Sequence, residues 1–212
     1  MSVEHHPDET LLVTHAAGGL DAAMSLIIAT HLSFCGRCSR IVAAGERVGG
    51  ALLDQIAPVA MSSDALIKTL AQLDTPVAPS PRHVSNDNTP APLRAFLGRD
   101  ISQLRWRKMG PRLAYITLYR RRPQALRLLR GAPGSDIGRH THLGLEYTLV
   151  LRGGYTDETG SYGPGDFQAA SPDVQHNPVA DLEGDCINLS VTTGPLQFDS
   201  SFQNWVSWLF GF

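Results

Sequence analysis

Hydrophobic and polar positions change rhythm part-way along the chain. Up to residue 73 the apolar residues recur at helical spacing. Pro7, Asp8 and Glu9 predict a helix start suited to the positive end of the dipole, and Gly18 with Gly19 predicts its end. Asp21 is placed to cap a second helix running through Met24, Leu26, Ile27, Ile28 and His31 toward Cys35, and further helices are predicted over 40–56 and 64–73. After residue 92 the apolar runs are short and separated by glycine and proline: 113–119, 125–129, 147–151, 166–169 and 187–191. These predict a β sandwich or barrel. Between the two rhythms stand Pro76, Pro79, Pro81, Pro90 and Pro92, interleaved with Ser80, Ser85, Asn86, Asp87 and Asn88. Such a segment has little apolar surface and reads as an extended tether between separately folded parts. The expected organisation is two domains: a small all-α domain over 1–75, a proline-rich linker over 76–92 and an all-β domain over 93–212. A helical unit that small has a marginal core, and a structural metal would help it.

Composition narrows the function classes. With 42% hydrophobic and 18% charged residues the chain is an ordinary globular protein, and its formal charge of -2 gives no overall field for nucleic acid or an anionic membrane. The charge is unevenly spread: twelve of the eighteen Lys and Arg residues lie between Arg94 and Arg139, whereas 153–212 hold eight acids and no Lys or Arg. Early and late strands of a barrel lie side by side, so mutual neutralisation accounts for this better than nucleic-acid binding by Arg120, Arg121 and Arg122. The polar, acidic start lacks the features of a secretory signal, and no run reaches the about 20 apolar residues that cross a bilayer. A cytoplasmic protein with a protein partner, and with no direct nucleic-acid or membrane contact, is expected.

Candidate chemistry lies in both halves. His140 and His142 are two apart, so on a strand they share a face, and Glu146 has the same parity once Gly144 lets the chain bend. Two imidazoles and a carboxylate suit zinc, manganese, iron, nickel or copper. His176, after the turn-rich stretch from Tyr162 to Asp166 and Pro172, is the natural fourth donor, ahead of His83 in the linker. The segment resembles the first cupin motif, G-x5-H-x-H-x3-E-x6-G, matched at Gly134, His140, His142, Glu146 and Gly153. The second cupin motif is poorly kept around Pro172 and His176, where its glycine is missing and position 180 is alanine.

In the first half, His31, Cys35 and Cys38 have spacings of four and three, which would set them on one face at the end of the second helix. Two thiolates and an imidazole select zinc, and a structural zinc needs a fourth protein donor. His6 is preferred, with His5 as alternate and His15 less suited inside the first helix. A dithiol redox site would stand at the start of a helix, whereas here a helix is expected to precede the cysteines. Cys186 reads as a buried strand residue.

An H-x3-C-x2-C motif in a small helical domain, followed by a proline-rich linker and a cupin, resembles the zinc-binding anti-sigma factors of the ChrR type, and the resemblance covers almost the whole chain. It implies a jelly-roll-like cupin barrel. It also implies that the helical domain holds an extracytoplasmic-function sigma factor inactive in a one-to-one complex, and that the cupin senses singlet oxygen or related oxidants and releases it. By the same resemblance His6, His31, Cys35 and Cys38 would bind one zinc, and His140, His142, Glu146 and His176 a second. The competing expectation is a metal-dependent cupin dioxygenase or isomerase, with Thr148, Arg152 and Tyr162 as generic ligand-orienting candidates. A third is a plain interaction module, suggested by the aromatic tail with Phe202, Trp205, Trp208, Phe210 and Phe212.

Overall fold

The computed structural model describes residues 3–73 and 89–199. Most of the expected linker, His83 and the aromatic tail lie outside the described residues. Helix α1 (Glu9–Ala16) starts behind Asp8, whose carboxylate accepts the Leu11 N–H, and α2 (Ala22–Leu32) starts behind Asp21, which accepts from Ala23 and Met24. The second helix stops short of the expected Cys35. The N–H groups of Ser33 and Phe34 turn back to the carbonyls of Thr30 and His31, which tightens the last turn and ends the helix. Cys35 then becomes the N-cap of α3 (Gly36–Leu53), its sulfur accepting the Cys38 N–H at 3.4 Å. Helix α4 (Ala65–Leu73) matches the pattern, and α5 (Ala91–Leu97) begins inside the stretch expected to be linker. Pro92 is tolerated there because a first-turn N–H has no intrahelical acceptor.

The second half is antiparallel throughout. Its strands are β1 (Arg107–Lys108), β2 (Leu113–Arg121), β3 (Gln124–Gly131), β4 (His140–His142), β5 (Glu146–Arg152), β6 (Tyr155–Asp157), β7 (Gly160–Tyr162), β8 (Phe167–Ala170), β9 (Val179–Ala180), β10 (Cys186–Thr192) and β11 (Leu196–Phe198). A six-stranded sheet runs β1-β2-β3-β10-β5-β8, beside a β11-β4 pair and a β7-β6-β9 sheet. The five strands predicted from the pattern all fall in the large sheet. As expected from the charge distribution, basic β3 pairs with late β10, and Arg130 donates to Asp185 across that junction at 2.8 Å.

The two faces of the large sheet differ. On β10, Cys186, Asn188, Ser190 and Thr192 line the lumen, while Ile187, Leu189 and Val191 point to the opposite face. That outer face is covered by helices: Leu126, Leu128, Leu149 and Leu189 share one hydrophobic cluster with Leu12, Ile27 and Ile28. Helix α2 is apolar nearly all round because it is enclosed, with seven of its eleven residues buried. The helical and β halves therefore share a core, and they are not connected by a tether alone. Each fully buried leucine in it contributes about 1.5–3 kcal/mol.

Candidate metal centres

Strand β4 places His140 and His142 on one face, and Thr141 between them points the other way, donating to the carbonyls of Pro172 and Val174 at 2.7 and 3.0 Å. These bonds hold the loop that carries His176, whose backbone pairs reciprocally with that of His140 at 3.0 Å in each direction. Gly144 sits where a Cβ would come within 2.9 Å of the backbone around Thr193 and Gly194, so only glycine lets the turn bring Glu146 round. The outcome is a buried cluster: His142 Nε2 stands 3.1 Å from His176 Nε2 and 3.3 Å from Glu146 Oε2. One donor atom from each of His140, His142, Glu146 and His176 lies within 4.8 Å of all the others.

The far side of three of the four is also held, while the buried Nδ1 of His142 has no hydrogen-bond partner among the described residues. His140 Nδ1–H donates to the Gly138 carbonyl at 2.8 Å, His176 Nδ1–H to Asp157 Oδ2 at 2.7 Å, and Ser190 Oγ–H to Glu146 Oε1 at 2.7 Å. Bonds at Nδ1 leave the Nε2 lone pairs of His140 and His176 aimed at the cluster. Burial lowers the pKa of His140 and His142. Burial pushes Glu146 up, but the surrounding histidines and the Ser190 hydroxyl outweigh it and hold the carboxyl below its ordinary range. Asp157 behaves alike: burial opposes its charge, while hydrogen bonds from His176, Thr159 and Gln168 keep it well below the usual carboxylate range. Disfavouring charge on His140 and His142 while favouring it on Glu146 suits a divalent cation, which needs the imidazole lone pairs and the carboxylate free of protons.

The second cluster is built from three separate pieces of chain. His31 comes from the last turn of α2, Cys35 from the cap of α3, Cys38 from its first turn and His6 from the segment before α1. The expected single helical face is corrected accordingly: the chain reverses between His31 and Cys35. His6 Nδ1 lies 3.4 Å from Cys35 Sγ and 3.5 Å from Cys38 Sγ. His31 Nδ1–H donates to the Gly165 carbonyl at 2.9 Å, while its buried Nε2 has no hydrogen-bond partner among the described residues. Burial lowers the His31 pKa to about 4. An orphaned imidazole lone pair beside two sulfurs and a second imidazole fits a closed four-ligand zinc site.

Cys35 at a helix start overturns the expected order of helix and cysteines. Burial and the neighbouring Cys35 push the Cys38 thiol up to about 12.

Comparison with known proteins agrees with both halves. The ChrR cupin-like domain family matches residues 96–197. The anti-sigma-E factor ChrR of Cereibacter sphaeroides is 40% identical over 201 residues, covering 94% of each chain. The chain belongs to the ChrR family. A crystal structure of Rhodobacter sphaeroides SigE in complex with the anti-sigma ChrR aligns with a TM-score of 0.79 at 39% identity, over 90% of this chain and 100% of that one. An RmlC-like cupin from Ralstonia eutropha aligns over 49% of this chain and 71% of its own, at 20% identity and a TM-score of 0.41, and adds nothing to the argument.

Within this ChrR-family chain the eight expected ligands fall into two groups of four. His5 stands outside both, its ring tilted against that of Tyr162 at 4.5 Å, and His15 lies in α1 and belongs to neither group. Of the residues considered for orienting a substrate, Thr148 lines the lumen, Arg152 is exposed, and Tyr162 is buried against Tyr155 and His5. Cys186 is buried in β10, where burial pushes its thiol up to about 12. Sequence reasoning missed Asp157, Ser190 and the Gly165 carbonyl. Asp157 did leave a trace, since Asp157, Thr159 and Gly160 form a side-chain-capped hairpin turn, but a turn signal does not say which ring the other carboxylate oxygen meets.

Proposed function

We propose that this chain is an anti-sigma factor. In this reading its helical domain, 1–75, sequesters an extracytoplasmic-function sigma factor in a one-to-one complex. Its cupin, 93–212, receives an oxidant signal, singlet oxygen or a related species, and releases the sigma factor in the cytoplasm. The observation that carries the reading is apolar surface on the distal helices that has no cover among the described residues. Helix α4 has no buried residue, and Leu52, Leu53, Ile56, Leu66, Ile67, Leu70 and Leu73 are all more than half exposed. Leu66, Leu70 and Leu73 recur at the spacing of an amphipathic helix that lies in a partner's groove. The ChrR relative, described in complex with SigE, supports the choice of partner.

Zinc is the metal assigned to both centres. Bound among His6, His31, Cys35 and Cys38 it would crosslink the start of the chain to α2 and α3, holding the helices in their partner-binding arrangement. In the cupin, Asp157 fixes the His176 tautomer and Ser190 orients Glu146, so the protein's part is a preset, buried donor set that an oxidant can disturb.

Co-expression with the cognate sigma factor tests this. The expected outcome is a one-to-one complex that Leu70→Glu disrupts and His142→Ala leaves intact. A complex insensitive to Leu66→Glu and Leu70→Glu would refute the assigned surface. Steady turnover of a small molecule by the full chain, lost in His142→Ala, would replace the regulatory role with an enzymatic one.

A further inference from the structure

The four candidate ligands of the cysteine-containing centre belong to the helical half, yet the hydrogen bond behind His31 and those that hold the chain just before His6 come from the cupin. Residues 163–167, the turn leading into β8, supply them. The Gly165 carbonyl takes the His31 Nδ1 proton and so decides which ring nitrogen faces the sulfurs. Next to it, Asp166 Oδ1 accepts the N–H groups of Glu4 and His5 at 2.7 and 2.9 Å, while Oδ2 accepts that of Gly163 at 2.8 Å. Phe167 N–H donates to the His5 carbonyl at 3.1 Å. Three bonds thus pin residues 4 and 5 immediately before His6. Packing makes the approach close: a Cβ on Gly165 would lie 2.7 Å from both Phe34 Cβ and Val3 Cγ2, and φ is +94° there.

The same turn is linked to the other centre. The His5 ring lies against that of Tyr162 at a tilt of 43°, Tyr162 and Thr159 hydroxyls are 2.8 Å apart, Thr159 donates to Asp157 Oδ1 at 2.6 Å, and Asp157 Oδ2 accepts from His176.

We propose that the cupin turn 163–167 positions His6 and His31 for metal binding, with Asp166 as the positioning residue, so that the affinity of the helical centre depends on its contact with the cupin. The two halves of the clamp act differently. Gly165 sets a tautomer, and Asp166 sets the path of the backbone that delivers His6. Disturbance of the cupin centre at His176 then reaches the helical centre through contacts already in place, without crossing the linker. The proposal rests on the reading that His6, His31, Cys35 and Cys38 hold a metal.

The test uses the full-length chain titrated with Co2+ in competition with a chelator. Thiolate-to-cobalt charge-transfer absorption reports the helical centre alone, because no cysteine belongs to the cupin cluster. Asp166→Ala is expected to weaken binding in that band by about 10–100-fold, the usual effect of losing a partner behind a ligand, while cobalt at the cupin centre binds as in the wild type. Asp185→Ala, whose carboxylate pairs with Arg130 elsewhere, serves as the unaffected control. Wild-type affinity in Asp166→Ala overturns the proposal. If that variant loses both centres, Asp166→Asn, which keeps the shape but removes the charge and one of the two acceptor oxygens shared among Glu4, His5 and Gly163, decides. A weakened thiolate band beside an intact cupin centre supports the proposal, and equal affinity overturns it. Absence of the band in the wild-type chain would instead refute the metal reading itself.

Discussion

The two candidate centres solve one problem in opposite ways. The cupin centre is self-contained: its ligands come from β4, β5 and one loop, and the groups behind them, Gly138, Asp157 and Ser190, lie in the same sheet-built half. The cysteine-containing centre gathers ligands from the start of the chain and two helices and borrows its backing from Gly165 and Asp166 across the shared core. Their chemistry differs as well. Burial disfavours the charged forms of His140 and His142 and the Glu146 carboxyl is held below its ordinary range, whereas the Cys38 thiol must give up a proton to bind a cation. A centre built from its own domain keeps its geometry by itself, while one assembled from separate elements keeps it only as long as its neighbours stay in place.

The contrast can be broken in steps. The largest effect is expected from Cys38→Ser, which should remove one metal ion per chain and with it binding energy on the order of 10 kcal/mol, leaving the cupin ion in place. Metal analysis of the purified variant reads this directly, and two ions retained per chain would contradict it. Next, Leu189→Ala, at a fully buried position where the sheet meets α2, should cost about 2–5 kcal/mol. Because the core is shared, calorimetry should show a single transition moving down, and two independent transitions would argue for separately folded halves.

Asp157→Asn should weaken the cupin metal by about 10–100-fold through the loss of its charged bond to His176. Competition with a chelator measures it. The smallest effect concerns pH. Below the Cys38 value of about 12, each unit of rising pH should strengthen metal binding at the helical centre about tenfold for each thiol proton that the metal displaces. Near neutrality the cupin centre should respond far less, since its carboxyl titrates below the ordinary range and burial lowers His140 and His142. Equal pH slopes at the two centres would remove the distinction.

The grouping of the candidate donors was legible in the sequence where its constraints are local. The parity of His140, His142 and Glu146 survives in any strand, and Gly144 marks the bend that brings the carboxylate back. The five long strands of the large sheet were readable for the same reason, while strands of two or three residues such as β1 and β9 carry no period to detect. What escaped were relations between distant segments. Nothing near His31 indicates that its ring will meet a carbonyl 134 residues away, and nothing near Asp166 indicates that its carboxylate will hold the chain's first residues. The apolar run of α2 did contain a clue, since a helix apolar on every side needs cover from more than its own small bundle. The turn at 33–35 was hidden because spacings of four and three are equally compatible with one helix and with a helix, a reversal and a new cap.

The central claim is that the exposed face of α3 and α4 takes a sigma factor while the cupin lumen does not. Hydrogen–deuterium exchange of the full chain, free and bound to its cognate sigma factor, tests it most directly. Residues 48–73 should gain protection on binding, with the lumen strands β4, β5 and β10 unchanged. Protection confined to the lumen strands, with α4 exchanging as freely as before, would contradict it.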